Sequence, residues 1–235
     1  MRRVSGGWSG SLTSFGIVAV IAACMTQVPL TGVTRPPGGG QVDQGKKPTR
    51  EQVARGRELT VHHACGGCHG GIGNPAAEGW LAGMRTPEQE FLIGPCALKP
   101  GAEPCFKTRA RNLTPDNITG MGRFSERQIF NSLRYGLRPG ETPDVEITST
   151  LAGQGNFPKN PKYLAPPMPW PEWRHMPDQD LWDIAAYLKH GLKPVNNRVP
   201  DSEGPPDFWA SEFTVEKIGP YPAPAYPTAN ERIPD

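Results

Sequence analysis

The sequence has no apolar stretch long enough to span a membrane, no internal repeat, no nucleic-acid motif and almost no net charge. Each lack removes a class of function. The apolar run Phe15-Gly16-Ile17-Val18-Ala19-Val20-Ile21-Ala22-Ala23 falls short of the ~20 residues that a spanning helix needs. Lys and Arg number 25 against 23 Asp and Glu, a formal charge of +2, so overall charge selects no partner. Apolar residues are scarce too, at 36%, while 28 glycines and 28 prolines crowd the two ends. One modest domain remains, residues 49–192, between a flexible linker at 24–48 and a Pro-rich extended tail at 193–235.

Arg2 and Arg3 ahead of the apolar run give residues 1–23 the form of an export signal. The run ends in Ile21-Ala22-Ala23-Cys24, which resembles a bacterial lipobox, with Cys24 as the lipidated first mature residue. Ordinary cleavage at small residues is the alternative. Several acyl chains on one residue anchor a protein stably, whereas one chain does not. The chain is therefore expected on the periplasmic side of a bacterial membrane, lipid-anchored or else soluble there.

Four cysteines remain after Cys24. Cys65-Gly66-Gly67-Cys68-His69 has the C-x-x-C-H form of a c-type haem attachment site. Two thiols on one helical turn each add across a haem vinyl group, and the adjacent histidine ligates the iron. Gly66 and Gly67 leave no side chain to collide with the macrocycle. A thioredoxin-type redox pair and half a zinc site share the C-x-x-C core. The first lacks a βαβ pattern around it, and the second lacks two further ligands. The motif occurs once, which predicts one haem c. Cys96 and Cys105 are left and are expected to form a disulfide, worth about 2.7 kcal/mol by chain entropy for a loop of about ten residues; two free thiols or a two-cysteine metal site are the alternative.

Three helices are predicted. The first runs from about Thr49 to His63, with Thr49 and Gln52 as a capping box and Val53, Gly56, Thr60 and Ala64 along one face. A mid-helix glycine costs about 1 kcal/mol, so Gly56 points to close approach of another helix. The second, Ser125 to Tyr135, has Ser125 and Gln128 as its capping box, an apolar stripe of Ile129, Phe130, Leu133 and Leu137, and Gly136 as its stop. The third, about Asp178 to His190, places Leu181, Ile184, Ala185 and Leu188 on one face. Between the first two, Gly70 to Gly122 reads as loop, in which Trp80, Phe91, Leu92 and Ile93 either cover the haem edge or belong to ordinary core. His62 and His63 read as surface residues or neighbours of the site. In the tail, Phe208, Trp209 and Phe213 are the residues expected to pin it to a partner or to the domain. Seven cations from Lys107 to Arg138 (Lys107, Arg109, Arg111, Arg123, Arg127, Arg134, Arg138) face only Asp116 and Glu126. They form a docking face for an acidic redox partner, a hold for haem propionates, or a solvated face.

The residue opposite His69 decides the chemistry. Met168, in Ala165-Pro166-Pro167-Met168-Pro169-Trp170, is the expected sixth ligand, because prolines stiffen the loop that carries it. Met84, Met121 and Met176 are rivals, as are His175 and His190 for bis-histidine ligation. Thioether plus imidazole raises the iron potential and suits electron transfer.

The order of first helix, C-x-x-C-H, middle helix, Met-Pro loop and aromatic last helix resembles a class I cytochrome c. Arg109-Ala110-Arg111-Asn112-Leu113-Thr114-Pro115-Asp116, Thr119-Gly120-Met121-Gly122, Phe124-Ser125-Glu126, Arg134-Tyr135-Gly136-Leu137-Arg138-Pro139 and Met168-Pro169-Trp170 are similar to the cytochrome subunits of bacterial membrane-associated dehydrogenases. The resemblance covers about residues 50–192. It implies covalent haem at Cys65 and Cys68, and iron ligation by His69 and Met168. The Cys96–Cys105 insertion and the single haem motif depart from the pattern.

The expected fold class is thus all-α, a small cytochrome c-like helical domain around one covalently bound haem. The expected function is single-electron transfer between a redox protein, such as a dehydrogenase, and a respiratory or photosynthetic acceptor, with no catalysis of its own. A peroxidase-like haem enzyme with an open sixth position and a structural haem subunit are the alternatives.

Overall fold

Thr49 starts the first helix as its sequence predicts. Its side chain accepts from the N–H of Gln52, and Gln52 accepts in return from the N–H of Thr49, closing both ends of a capping box. The computed structural model describes residues 46–85, 90–205 and 207–234. The expected signal, Cys24 and nearly all of the linker lie outside the described residues.

Helix α1 (Arg50–His62) ends at His63, and Ala64, at φ 55°, turns the chain into the short helix α2 (Cys65–His69). Ala64 therefore leaves the helix face predicted for it, and Leu59 takes its place in the core. Helix α3 (Glu126–Tyr135) has the predicted Ser125–Gln128 box and a left-handed Gly136 at its end. A short α4 (Trp170–Trp173) follows the Met168 turn. Helix α5 (Asp178–Ala186) continues as a π-helical turn, Tyr187–Gly191. All four residues of its predicted stripe, Leu181, Ile184, Ala185 and Leu188, are buried. Among the described residues, no helix is long and apolar enough to cross a membrane.

The fold is helical but not all-α. Strands β1 (Phe91–Ile93) and β2 (Phe106–Thr108) form an antiparallel pair, with Phe91 opposite Thr108 and Ile93 opposite Phe106. Cys96 and Cys105 are bonded across the turn, their Cα atoms 5.4 Å apart. Three-residue strands carry too little alternation to be read from sequence, and the Gly and Pro around them predict loop. Phe91, Leu92 and Ile93 belong to this hairpin and do not reach the main core. Ile93 packs with Phe106 and Trp209 in a separate cluster.

The main core lies where α1, α3 and α5 meet, around Leu59, Ile129, Phe130, Leu133, Leu181, Ile184 and Leu188. Gly56 is the crossing point of α1 and α5. A Cβ there would sit 1.8 Å from the Asp183 carbonyl oxygen and 2.8 Å from Tyr187 Cβ. The crossing also buries the Asp183 side chain, which is 4% exposed and accepts from Gln179 Nε2 at 2.7 Å. Burial raises its pKa above the usual carboxylate range, with Asp180 adding to the shift and Gln179 and Arg55 opposing it. The folded state therefore binds this proton more tightly than the unfolded chain does. As pH rises through the unfolded value of about 3.9, ionisation favours the unfolded chain and stability is lost. Asp183→Asn is expected to melt at a higher temperature than the parent at neutral pH, with the difference vanishing below about pH 4. Thermal unfolding at two pH values checks this, and a gain that persists in acid would contradict it.

The chain after Gly191 was expected to be extended; it lies on the domain and forms two short elements, a 3-10 turn (Ala210–Phe213) and α6 (Val215–Ile218). Residues 195–203 run beside residues 82–84 and 107–119. Asn197 Nδ2 donates to the Ala82 carbonyl at 2.7 Å, Lys107 and Glu203 pair as a β-bridge, and Val199 is buried. Trp209 is 2% exposed and packs against Phe106 with the rings tilted, their centroids 4.6 Å apart. Phe208 and Phe213 pack around the same cluster, so the three aromatics expected to hold the tail do so against the domain itself.

Candidate functional site

The C-x-x-C-H segment forms one turn of helix because its N-terminal turn at Ala64 and its C-terminal loop are both fixed. Gly70, which follows His69, has φ 101°, a region open to glycine and costly for other residues. The N–H of Gly83 donates to the His69 carbonyl at 2.8 Å, and the N–H of Leu81 donates to the Gly70 carbonyl at 3.1 Å. Leu81 itself is fully buried, and its carbonyl accepts from Leu113 at 2.8 Å.

His69 is partly buried, and its Nδ1 lies 2.7 Å from the Arg111 carbonyl oxygen. A carbonyl only accepts, so Nδ1 carries the proton and Nε2 keeps a lone pair for a metal. Burial pushes the imidazole pKa down, while the Arg111 carbonyl pushes it up less strongly. The carbonyl is held in turn, since Arg111 Nη1 donates to Val199 O at 3.0 Å and lies 3.3 Å from Asp201 Oδ1. No side-chain pattern announces a backbone acceptor, so the sequence does not reveal this partner.

The two motif thiols differ. Cys65 packs against the main core, whereas Cys68 is exposed. Burial pushes the Cys65 thiol up to about 12. A thioredoxin-type pair works through a depressed thiol pKa, so this environment opposes the redox-pair reading. Gly66 has a reason other than the one the spacing suggested. A Cβ there would meet the Trp80 ring at 2.1 Å, while Gly67 has nothing within 4 Å. Trp80 is core, 6% exposed, and its Nε1 donates to Tyr187 Oη at 2.9 Å. The terminal helix is thereby tied to the attachment helix.

Met168 is partly buried against the same core as Cys65. Its N–H donates to the Ala165 carbonyl and its own carbonyl accepts from Trp170, each at 2.9 Å, so hydrogen bonds add to the stiffness of the prolines. Of the rivals, the two histidines are engaged with other side chains, while Met121 and Met176 share this core. Met84 and Met121 are buried at 7% exposure. His175 lies 3.2 Å from Arg174 Nε and beside Tyr221. His190 Nε2 is 2.6 Å from Glu126. Met176 packs partly buried on the main core. His63 faces Trp173 edge-on, and His62 is exposed.

The donor set fits a covalently held haem. Two thiols stand three positions apart on one turn, an imidazole presents a free Nε2, and a thioether lies on the same core. The Trp170 Nε1, two residues from Met168, is buried without a partner, a donor that still lacks an acceptor.

Much of the arginine-rich stretch is paired within the domain, while Arg111 and Arg123 stay exposed. Arg109 is bonded to Glu90, the Asp201 carbonyl and Glu203. Arg134 reaches the Arg174 carbonyl and Asp178, and Arg138 the Tyr163 carbonyl and Asp207. Lys107 lies 3.9 Å from Glu203, while Arg123 and Arg127 sit over aromatic rings. The acids that answer these cations come largely from the tail and from distant loops, which counting charges between residues 107 and 138 omits.

No family model matches the chain. It is 27% identical over 153 residues to the gluconate 2-dehydrogenase cytochrome c subunit of Pantoea cypripedii, a match covering 65% of this chain and 26% of the relative. With the fructose dehydrogenase cytochrome subunit of Gluconobacter japonicus it shares 23% over 159 residues, covering 68% and 25%. Its homologues are cytochrome c subunits of bacterial dehydrogenases. A third, the cytochrome c subunit of the quinone alcohol dehydrogenase of Gluconacetobacter polyoxogenes, is 29% identical over 96 residues, covering 40% of this chain and 16% of the relative. The chain spans about a quarter or less of the length of these homologues.

Proposed function

We propose that the chain is a monohaem c-type cytochrome that passes single electrons from a dehydrogenase to a respiratory or photosynthetic acceptor. The observation that carries this is the His69 Nδ1 contact with the Arg111 carbonyl, which sets the tautomer and ring orientation that a metal ligand needs. Cys65 and Cys68 would hold the haem, with His69 and Met168 as its axial ligands. When bound, the haem supplies a one-electron ferric/ferrous couple.

The protein's part is to hold and to shield. Arg111 and Leu81 fix the loops around His69, and the prolines hold Met168 in place. Trp80, Leu81 and the α1–α5 crossing exclude water from the core face of the site, which favours the less charged iron state. Met168, if it ligates the iron, would keep small oxidants off the metal, as a carrier needs and a peroxidase-like enzyme does not. His175, the residue a distal acid–base role would need, faces Arg174 and Tyr221. The bonded Cys96–Cys105 pair suits an oxidising compartment and supports a periplasmic location, while the lipobox-like Ile21-Ala22-Ala23-Cys24 is what supports membrane attachment through lipid on Cys24.

Covalent attachment is the test. After export in a host that matures c-type cytochromes, haem is expected to stay with the protein through acidified organic solvent, at one haem per chain. Replacing both Cys65 and Cys68 with serine should give colourless protein. A colourless parent with two alkylatable thiols at these positions would refute the reading.

A further inference from the structure

We propose that the Cys96–Cys105 disulfide and the strap laid against it, residues 199–204, position the His69 ring from a distance, with Arg111 passing the constraint on. The proposal rests on the haem reading of His69 and extends it. The disulfide loop departs from the cytochrome-subunit pattern, and the strap lies beyond the stretch that the pattern covers.

The run of chain 105–111 has a different neighbour on each edge. One edge meets the strap in a single antiparallel register. Lys107 and Glu203 exchange backbone hydrogen bonds at 2.8 and 3.0 Å, and Thr108 Oγ1 lies 3.0 Å from Ser202 Oγ. Arg109 donates to the Asp201 carbonyl at 2.6 Å, and Arg111 to the Val199 carbonyl at 3.0 Å. Each step along the run from 107 to 111 thus matches one step back along the strap from 203 to 199. The other edge serves the site. The Ala110 carbonyl accepts from the Met84 N–H at 3.1 Å, and the Arg111 carbonyl holds His69 Nδ1. Val199 closes the arrangement against Gly83, whose N–H donates to the His69 carbonyl. A Cβ on Gly83 would meet Val199 Cγ2 at 2.7 Å and the Arg111 carbonyl carbon at 3.0 Å.

The disulfide anchors the far end of the same run. Cys105 is bonded to Cys96, and Gly204 crosses so close that a Cβ there would stand 2.0 Å from the Cys105 carbonyl oxygen. The hairpin pairs only residues 91–93 with 106–108, and so short a two-stranded ribbon is marginal by itself. The strap adds a backbone bridge at Glu203 and otherwise holds by side-chain bonds. Neither is rigid alone, and the covalent bond fixes the end from which both are laid out. Opening it frees Cys105 and loosens the register that ends at the carbonyl orienting the imidazole. Arg111 is therefore a positioning residue, acting on the metal ligand through its backbone.

Hydrogen exchange followed by NMR on full-length, haem-loaded protein tests this. Cys96→Ser/Cys105→Ser should speed exchange of the Gly83 and Met84 amides and of His69 Nδ1–H by at least about tenfold. The Leu59 and Leu133 amides, in α1 and α3, should stay within about twofold of the parent. A weakened Nδ1 bond makes the imidazole a poorer donor to iron, so the midpoint potential should also rise. Arg111→Ala should reproduce both effects, while Arg111→Lys, which keeps a donor for Val199, should keep most of the protection. Adding the serine pair to Arg111→Ala should change nothing further, as expected of groups that act in series. Gly204→Ala keeps the disulfide but drives a Cβ into the Cys105 carbonyl. It should give the same pattern, so the test stands even where the serine pair does not fold. Parent rates at the three protons, faster exchange at all five alike, or a potential that does not rise would each overturn the positioning role. So would a serine-pair effect that adds in full to that of Arg111→Ala. A colourless parent would sink the haem reading alone, since the Gly83 and Met84 amides report on the strap with or without haem.

Discussion

Met168→Ala is expected to convert a six-coordinate, low-spin haem protein into one that binds carbon monoxide. The far-red thioether-to-iron band should disappear, and the midpoint potential should fall with loss of the thioether. The turn that carries Met168 is held by prolines and by backbone hydrogen bonds to Ala165 and Trp170, so it should survive the change and leave the sixth position open. The cost to folding should be small, below the about 2–5 kcal/mol typical of a fully buried methionine, because Met168 is only partly buried. Met176 packs against the same core and serves as the control, since Met176→Ala should leave the band and the potential close to the parent's. The reverse outcome, with the band lost only at position 176, would move the ligand there.

Gly56→Ala should destabilise the protein although alanine is the better helix former. The substitution gains about 1 kcal/mol of helix propensity. Against this, its Cβ would lie 1.8 Å from the Asp183 carbonyl oxygen and 2.5 Å from the carbonyl carbon, which are backbone atoms that cannot rotate away. Helices α1 and α5 must separate, and overpacking of this kind costs about 1–3 kcal/mol or more. A net loss of about 2 kcal/mol lowers Tm by about 4–8 °C in a domain of this size. The displacement should also reach α2, because Tyr187 on the terminal helix holds Trp80, and Trp80 lies on Gly66. Thermal unfolding checks the loss, and a variant as stable as its parent would mean that the crossing is looser than described.

Gly56 also shows what the sequence makes legible. A glycine inside a well-capped helix is unfavourable unless something needs the space, so its presence pointed to a crossing helix. Both capping boxes and the Leu181–Leu188 stripe were readable for the same reason, since each is a local pattern with one structural answer. The β-hairpin was not, because strands of three residues show no period. The paired state of Arg109, Arg134 and Arg138 was hidden differently. Their partners lie 19 to 94 residues away, and charges look unbalanced when only neighbours are counted. At the site, the residue types of Cys65, Cys68, His69 and Met168 carried the prediction. The atom that orients His69 is a main-chain oxygen, and every residue type has one.

The brace behind His69 has a consequence for the order of assembly. The attachment motif leaves the ribosome early, but Val199 and Asp201, which secure Arg111, leave it well over a hundred residues later. A chain that ends before them keeps both thiols but lacks the brace on the loop whose Arg111 carbonyl orients the imidazole. On the haem reading, a truncated product would therefore carry pigment on an unbraced histidine.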